Sequence, residues 1–145
     1  MQKGFGSSPK KKNFKDTRYL KFFNDEKNAQ ALLKNKKTQE AKNLYFKLLK
    51  SGYQSYEIFF NLGFIEISEK NHKEAIKYLT KAKSLSKEYN LKLLFGMVNS
   101  YLSLRDIKKA RLMLDEAINN NPKSELLIFN YAKFEEDLFL SLIHI

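Results

Sequence analysis

Lys73–Ala82 reads KEAIKYLTKA, and Lys108–Ala117 reads KKARLMLDEA. Ala75 answers Ala110, Leu79 answers Leu114 and Ala82 answers Ala117, each pair 35 residues apart. A looser copy lies upstream, where Ala41, Tyr45 and Leu48 precede the same three positions by 34 residues. Self-similarity at a fixed period is the signature of a repeat architecture. The triplet has a physical reason. Two antiparallel helices that cross closely need a small side chain at the contact. Ala75 and Ala110 are expected there, facing Gly63 and its counterpart Val98 on the preceding helix. Ala82 and Ala117 would let the next pair approach, with Leu79 and Leu114 filling the space between.

Helical periodicity extends outward in both directions. From Thr17 apolar residues recur at three- and four-residue intervals, including Leu20, Phe23, Leu32 and Leu33. Thr38 is expected to cap a second helix, and Gly52 to stop it in a left-handed conformation. Ser55 caps a third, Tyr56 to about Ser68; the Asn71-His72 break separates it from a fourth over Ala75–Leu85. A fifth runs from about Leu91 to Ser103. Asp106 caps a sixth that ends at Asn120-Asn121-Pro122, and Ser124 caps a seventh. No strand pattern occurs. The expected fold is all-α: a right-handed superhelical array of antiparallel helix pairs, an α-solenoid of about three and a half repeats. The units span about 22–55, 56–90 and 91–124, with a partial one at 125–143. A two-helix unit cannot bury its apolar face alone, so neighbours stack and share a core.

The best unit holds Phe59, Leu62 and Gly63 in its first helix and Ala75, Leu79 and Ala82 in its second. The next holds Leu94, Met97, Val98, Tyr101, Ala110, Leu114, Ala117 and Pro122. These residues at this spacing resemble the tetratricopeptide-repeat (TPR) family, over residues 22–143. The resemblance implies a concave groove lined by the first helices. Departures exist: Glu66 sits where Tyr101 does one unit later, Lys87 stands for Pro122, and Ala29 replaces the glycine in the first unit. The related pentatricopeptide family binds RNA at a similar period, but its Met-Lys-x-x-Gly ending is missing here.

Spacing picks out the groove-facing stripes. Glu57, Phe60, Phe64 and Ile67 form one; Lys92, Phe95, Asn99 and Leu102 repeat its intervals; Leu126, Phe129, Lys133 and Glu136 form a third. The phenylalanines have two readings, as a partner-binding patch and as core between repeats. A patch would take an extended peptide or a helix of another protein, with Lys92, Asn99 and Lys133 orienting its polar groups. Some family members hold a peptide's C-terminal carboxylate with lysine and asparagine on successive first helices. Phe60 and Phe95 stand where that lysine would be, so chaperone-tail binding is not expected.

The 145 residues include 43% hydrophobic and 14% aromatic side chains, enough for a sizeable core, and carry a net charge of +11. Residues 1–37 hold 11 Lys/Arg against 3 Asp/Glu, while residues 38–145 hold 16 against 13. The excess is therefore concentrated in the first quarter. Residues 1–16 are expected to form a disordered basic arm, and residues 17–143 the repeat domain. Lys10, Lys11, Lys12, Lys15, Arg18 and Lys21 would dock the arm on nucleic acid or an anionic surface, or would serve as a solvated tail. Only Arg18, Arg105 and Arg111 are arginines, so codon bias also explains part of the lysine excess. The GFGSS of Gly4–Ser8 lacks the preceding strand and closing Gly-Lys-Ser/Thr of a phosphate loop.

Enzymatic chemistry is not expected. The chain has no cysteine and two histidines, His72 in a polar loop and His144 near the end. Glu135, Glu136 and Asp137 are consecutive, so their side chains point apart on a helix. Neither a metal nor another cofactor is expected, and no small-molecule substrate. Without cysteine the chain suits a reducing compartment, and a cytoplasmic location is expected. The last helix is apolar on several faces through Leu138, Phe139, Leu140, Leu142 and Ile143. It would cap the array, self-associate, or mark a reading frame cut short, with SLIHI resembling translated adapter sequence. In the last case the chain would be the N-terminal interaction module of a larger enzyme such as a transferase.

Overall fold

The computed structural model describes residues 12–88 and 90–143, with no side-chain description before residue 17. Among the described residues there are seven helices and no strand. They are α1 (Lys12–Lys34), α2 (Thr38–Lys50), α3 (Tyr56–Ser68), α4 (His72–Leu85), α5 (Leu91–Ser103), α6 (Ile107–Asn120) and α7 (Glu125–Ile143). The chain divides into two units, Met1–Gln54 and Ser55–Ile145.

In the first unit α1 packs on α2. α1 begins at Lys12 rather than Thr17, so Lys12 and Lys15 are helical instead of belonging to a disordered arm. No glycine or proline follows Pro9 in this stretch to stop the helix earlier. Lys10 and Lys11 lie outside the described residues, as does His144. The hairpin is closed by Tyr53, whose phenol donates a 2.8 Å hydrogen bond to Glu26 Oε2. Glu26 is only 3% exposed. Burial first, and the Glu26 carboxylate second, push the Tyr53 phenol well above its usual range. The rings of Tyr19 and Phe22 pack on Tyr53 at 5.8 and 5.5 Å between centroids.

In the second unit α3 packs on α4, α4 on α5, α5 on α6 and α6 on α7. All six triplet positions of the two repeats, from Ala75 to Ala117, are buried. The small residue Gly63 has a different role from the one expected. A Cβ built on it would lie 2.5 Å from Leu79 Cδ2 but 3.5 Å from the nearest atom of Ala75, its carbonyl oxygen. The glycine makes room for a leucine, not for the alanine side chain. Gly96, which the repeat spacing does not single out, has the same task toward α3. A Cβ there would lie 2.9 Å from Phe64 Cζ and 3.3 Å from Leu79 Cδ1. Leu94, Val98, Leu114, Leu127 and Phe134 form the second core, with Tyr101 packed against it. Phe59 and Leu62 are buried, Phe59 stacked on Tyr78 at 6.4 Å. Pro122 is exposed just beyond the α6 cap residue Asn121.

The turns inside the helix pairs are built alike. Lys36, Lys70 and Arg105 all have positive φ, at 60°, 63° and 61°. Two reverse hydrogen bonds surround each: Lys70 N to Ile67 O and Asn71 N to Glu66 O, for instance, or Arg105 N to Leu102 O and Asp106 N to Tyr101 O. This is the Schellman closure, normally given to glycine because a Cβ is strained there. It shifts one expected cap and one expected helix start. Lys37, not Thr38, occupies the cap position of α2 and contributes no side-chain hydrogen bond. α4 begins at His72, earlier than Ala75, and His72 is half-buried rather than solvent-exposed. Its Nδ1 lies 3.4 Å from Oγ of Ser100, which is fully buried.

Candidate functional site

The first helices of the second unit are α3, α5 and α7, and their starts are fixed by side-chain caps. Ser55 Oγ accepts from Ile58 N at 3.2 Å, and Ser124 Oγ from Leu127 N at 3.4 Å. Asn90 does more. Its Oδ1 accepts from Leu93 N at 3.1 Å, and its Nδ2 donates to Tyr56 Oη at 2.8 Å. One side chain therefore caps α5 and ties its first turn to the first turn of α3. Burial and the neighbouring Glu57 raise the Tyr56 phenol, while the Asn90 hydrogen bond partly offsets them.

From that anchor an aromatic stripe runs along α3. Tyr56 meets Phe60 at 5.4 Å and Phe60 meets Phe64 at 4.8 Å, each pair tilted. Lys92, from α5, reaches over both phenylalanines, its Nζ 5.7 Å from the Phe60 centroid and 5.2 Å from that of Phe64. Such cation–π contacts are worth about 0.5–1 kcal/mol at exposed positions. Phe60, Phe64, Ile67, Phe95 and Leu102 are half-buried, so these rings are shared between core and surface.

Two adjoining clefts follow. The first, about 430 Å³, is lined by Phe64, Ile67, Lys92, Phe95 and Asn99, with Leu126 from the first turn of α7. The second, about 470 Å³, is lined on the α5 side by Phe95, Asn99 and Leu102. On the α7 side it has Asn130, Lys133 and Asp137, and Arg105 stands at its rim. Phe95 and Asn99 belong to both clefts. Among the described residues the side chains of Asn99, Arg105, Lys133 and Asp137 make no hydrogen bond or ion pair with the rest of the chain. Glu135, by contrast, is held by Arg111 through a two-pronged contact at 2.8 and 3.0 Å.

The structure thus brings together Phe64, Ile67, Lys92, Phe95, Asn99, Leu102 and Lys133 of the expected stripes, with Phe60 adjoining through Lys92. It does not bring in Phe129, which is 67% exposed and lines neither cleft. α7 buries Leu127 and Phe134. At about 100° per residue, Phe129 lies roughly 200° around the helix from Leu127. Leu126, Asn130, Lys133 and Asp137 are the positions beside the buried line; the sequence reading missed Arg105 and Asp137, whereas Asn130 is, with Asn99, an asparagine the family resemblance points to. On α1, Arg18 and Lys21 are exposed, and the Arg18 guanidinium lies 5.5 Å from the Phe22 ring.

The sequence of residues 66–127, from late α3 to early α7, matches the family model described as tetratricopeptide repeat. The structure agrees in fold with solved TPR proteins. It superposes on the Hsp90 co-chaperone Cns1 from Saccharomyces cerevisiae with a TM-score of 0.72 at 18% identity, over 87% of this chain and 42% of that one. It superposes on the Arabidopsis OM64 TPR domain with a TM-score of 0.64 at 17% identity, over 79% of this chain and 94% of that domain. The chain therefore spans less than half the length of Cns1 and nearly all of the OM64 domain. No curated protein matches the chain in sequence.

Proposed function

We propose that this TPR chain is a protein-interaction module whose α3–α5–α7 face binds a segment of another protein. The observation that carries the reading is the pair of clefts sharing Phe95 and Asn99. They place half-buried aromatic surface beside an amide that has no partner within the described residues. An apolar side chain entering either cleft would cover Phe95. The asparagine would pair with the polar backbone that accompanies it. The TPR family supports a binding role of this kind, and Cns1 is named for its co-chaperone role with Hsp90. Phe60 and Phe95 at the groove positions argue for a different ligand chemistry here, without capture of a terminal carboxylate.

The test is selection of a randomised, displayed 12-residue peptide library on the full chain, followed by affinity measurement on the enriched peptides. Burying an aromatic side chain contributes about 1.5–3 kcal/mol. Phe95→Ala is therefore expected to weaken the selected peptides by about ten-fold or more, with the helical circular-dichroism spectrum retained. Peptides that bind a folded Phe95→Ala variant as tightly as the parent would overturn the assignment of this face.

A further inference from the structure

The charges around the two clefts bear on what kind of segment fits them. Among the residues lining both clefts, three are cationic, Lys92, Arg105 and Lys133, and Asp137 alone is acidic. None of the three cations has an acidic partner among the described residues. Lys92 is held over two aromatic faces, which fixes the ammonium without satisfying its hydrogen-bond donors. Arg105 is rooted in the α5–α6 turn, where its backbone is held at φ 61° by the hydrogen bonds on either side of it. The Lys92 ammonium is therefore placed by its ring contacts, and Arg105 is rooted at a fixed point of the turn by its backbone.

They are also separated by a definite length. Lys92 stands at the start of α5 and Arg105 just past its end, and α5 has 13 residues. At about 1.5 Å rise per residue the two lie roughly 20 Å apart along the helix. An extended chain covers that distance in about six residues at about 3.3 Å each. The α7 side adds Asn130 and Asp137, while along α5 between the cations the cleft-lining residues are apolar except for the amide of Asn99. A helix has no free backbone groups in its middle to offer that amide. An extended chain offers both a carbonyl and an N–H.

Resting on the groove reading above, we infer that the bound segment is extended and acidic: a short apolar stretch with side-chain carboxylates about six residues apart, one for Lys92 and one for Arg105 and Lys133. Charge-assisted hydrogen bonds of this type are roughly twice as strong as neutral ones. Carboxylates at both ends would fix the segment's position along α5, while the two clefts select its apolar residues.

The same selection separates this inference from the reading beneath it. Peptides are prepared with acetylated N-termini and amidated C-termini, so that every carboxylate is a side chain. The enriched pool is expected to gain Asp and Glu on both sides of an apolar pair. Replacing those acids with Gln or Asn in the best peptide should weaken binding by ten-fold or more at low salt, with the loss shrinking as salt is raised. Lys92→Glu combined with Lys133→Glu should invert the preference toward the Lys-substituted peptide. If the enriched pool is neutral or basic, or the amide-substituted peptide binds equally well, the acidic segment is wrong while the groove stands. If binding needs a free C-terminal carboxylate, the side-chain assignment is wrong. If a single-stranded oligonucleotide displaces the peptide at equal concentration, the cations serve a nucleic acid instead. If no peptide distinguishes the parent from Phe95→Ala, the groove reading fails first.

Discussion

The helix pairs α3–α4 and α5–α6 have the same lengths to within a residue and bury the same triplet, yet they solve the helix crossing differently. In α3–α4 the crossing is opened by Gly63, and Leu79 fills the opening. In α5–α6 the equivalent position is Val98, which supplies volume of its own to a cluster with Leu114, Leu127 and Phe134. Part of the difference lies in the neighbour. Leu79 also touches the site of Gly96 on α5, together with Phe64. The α3–α4 pair therefore shares one leucine between its own crossing and the next pair. The α5–α6 pair meets only α7 on its far side and packs with bulk from both partners. A constant backbone period does not require constant packing.

Exchanging the two solutions is the strongest way to break this comparison. Val98→Gly removes a buried branched side chain and places glycine inside a helix, at an expected cost of about 2–4 kcal/mol. Gly63→Ala adds a methyl group against Leu79 and is expected to cost about 1–2 kcal/mol, the overpacking exceeding the gain in helix propensity. Chemical denaturation measures both. In a Leu79→Ala background the Gly63→Ala penalty should vanish or change sign, because the obstructing side chain is gone. A Gly63→Ala protein as stable as the parent would show that Leu79 can move aside at no cost, and the distinction between the pairs would collapse.

The turns of the same two pairs differ as well, with effects of similar or somewhat smaller size. Asn71 and Asp106 hold the same position, but only Asp106 caps its helix, accepting from Lys109 N at 3.2 Å. The Asn71 amide turns back and donates to Glu66 Oε2 at 2.8 Å. Glu66 is 4% exposed and sits where Tyr101 sits in the later pair. Asn71→Ala should cost about 1–2 kcal/mol, since a nearly buried carboxylate loses a donor. Asp106→Ala should cost about 1 kcal/mol, the ordinary value of a lost cap. Equal losses at the two sites would mean that Glu66 gains little from Asn71.

Much of this was legible in the sequence, for reasons that also explain what was not. The period was readable because the alanine and leucine positions must be small or apolar at each crossing. Ser55, Asp106, Ser124 and Gly52 were readable because caps and left-handed stops have strong residue preferences. The groove side of α3 and α5 followed from spacing, since both helices have neighbours on two sides and their rotation is fixed by them. α7 differs. It packs mainly on α6, and its rotation follows Leu127 and Phe134, which moved Phe129 away from the clefts. Asn90 was not legible as the tie between α3 and α5, because its partner Tyr56 lies 34 residues away. Nor was the left-handed turn, because its three occupants are two lysines and an arginine instead of glycine.

That last feature gives the smallest effect and the finest test of likeness between the pairs. Lys70 and Arg105 adopt a backbone conformation that costs a residue with a Cβ on the order of 1 kcal/mol. Neither side chain has a hydrogen-bond or ion-pair partner among the described residues, so no local contact offsets the strain. Lys70→Gly should raise stability by about 0.5–1 kcal/mol, the relief of strain exceeding the extra freedom glycine brings to the unfolded chain. Arg105→Gly should do the same, because the two turns have the same φ and the same pair of closing hydrogen bonds. The two gains should also add, since the turns belong to separate helix pairs with no residue in common. A gain at Lys70 without one at Arg105 would show that the arginine is held by an interaction in the folded chain. That would in turn weaken its assignment as a cation kept free for a ligand, so the stability measurement bears directly on the acidic segment proposed for the groove.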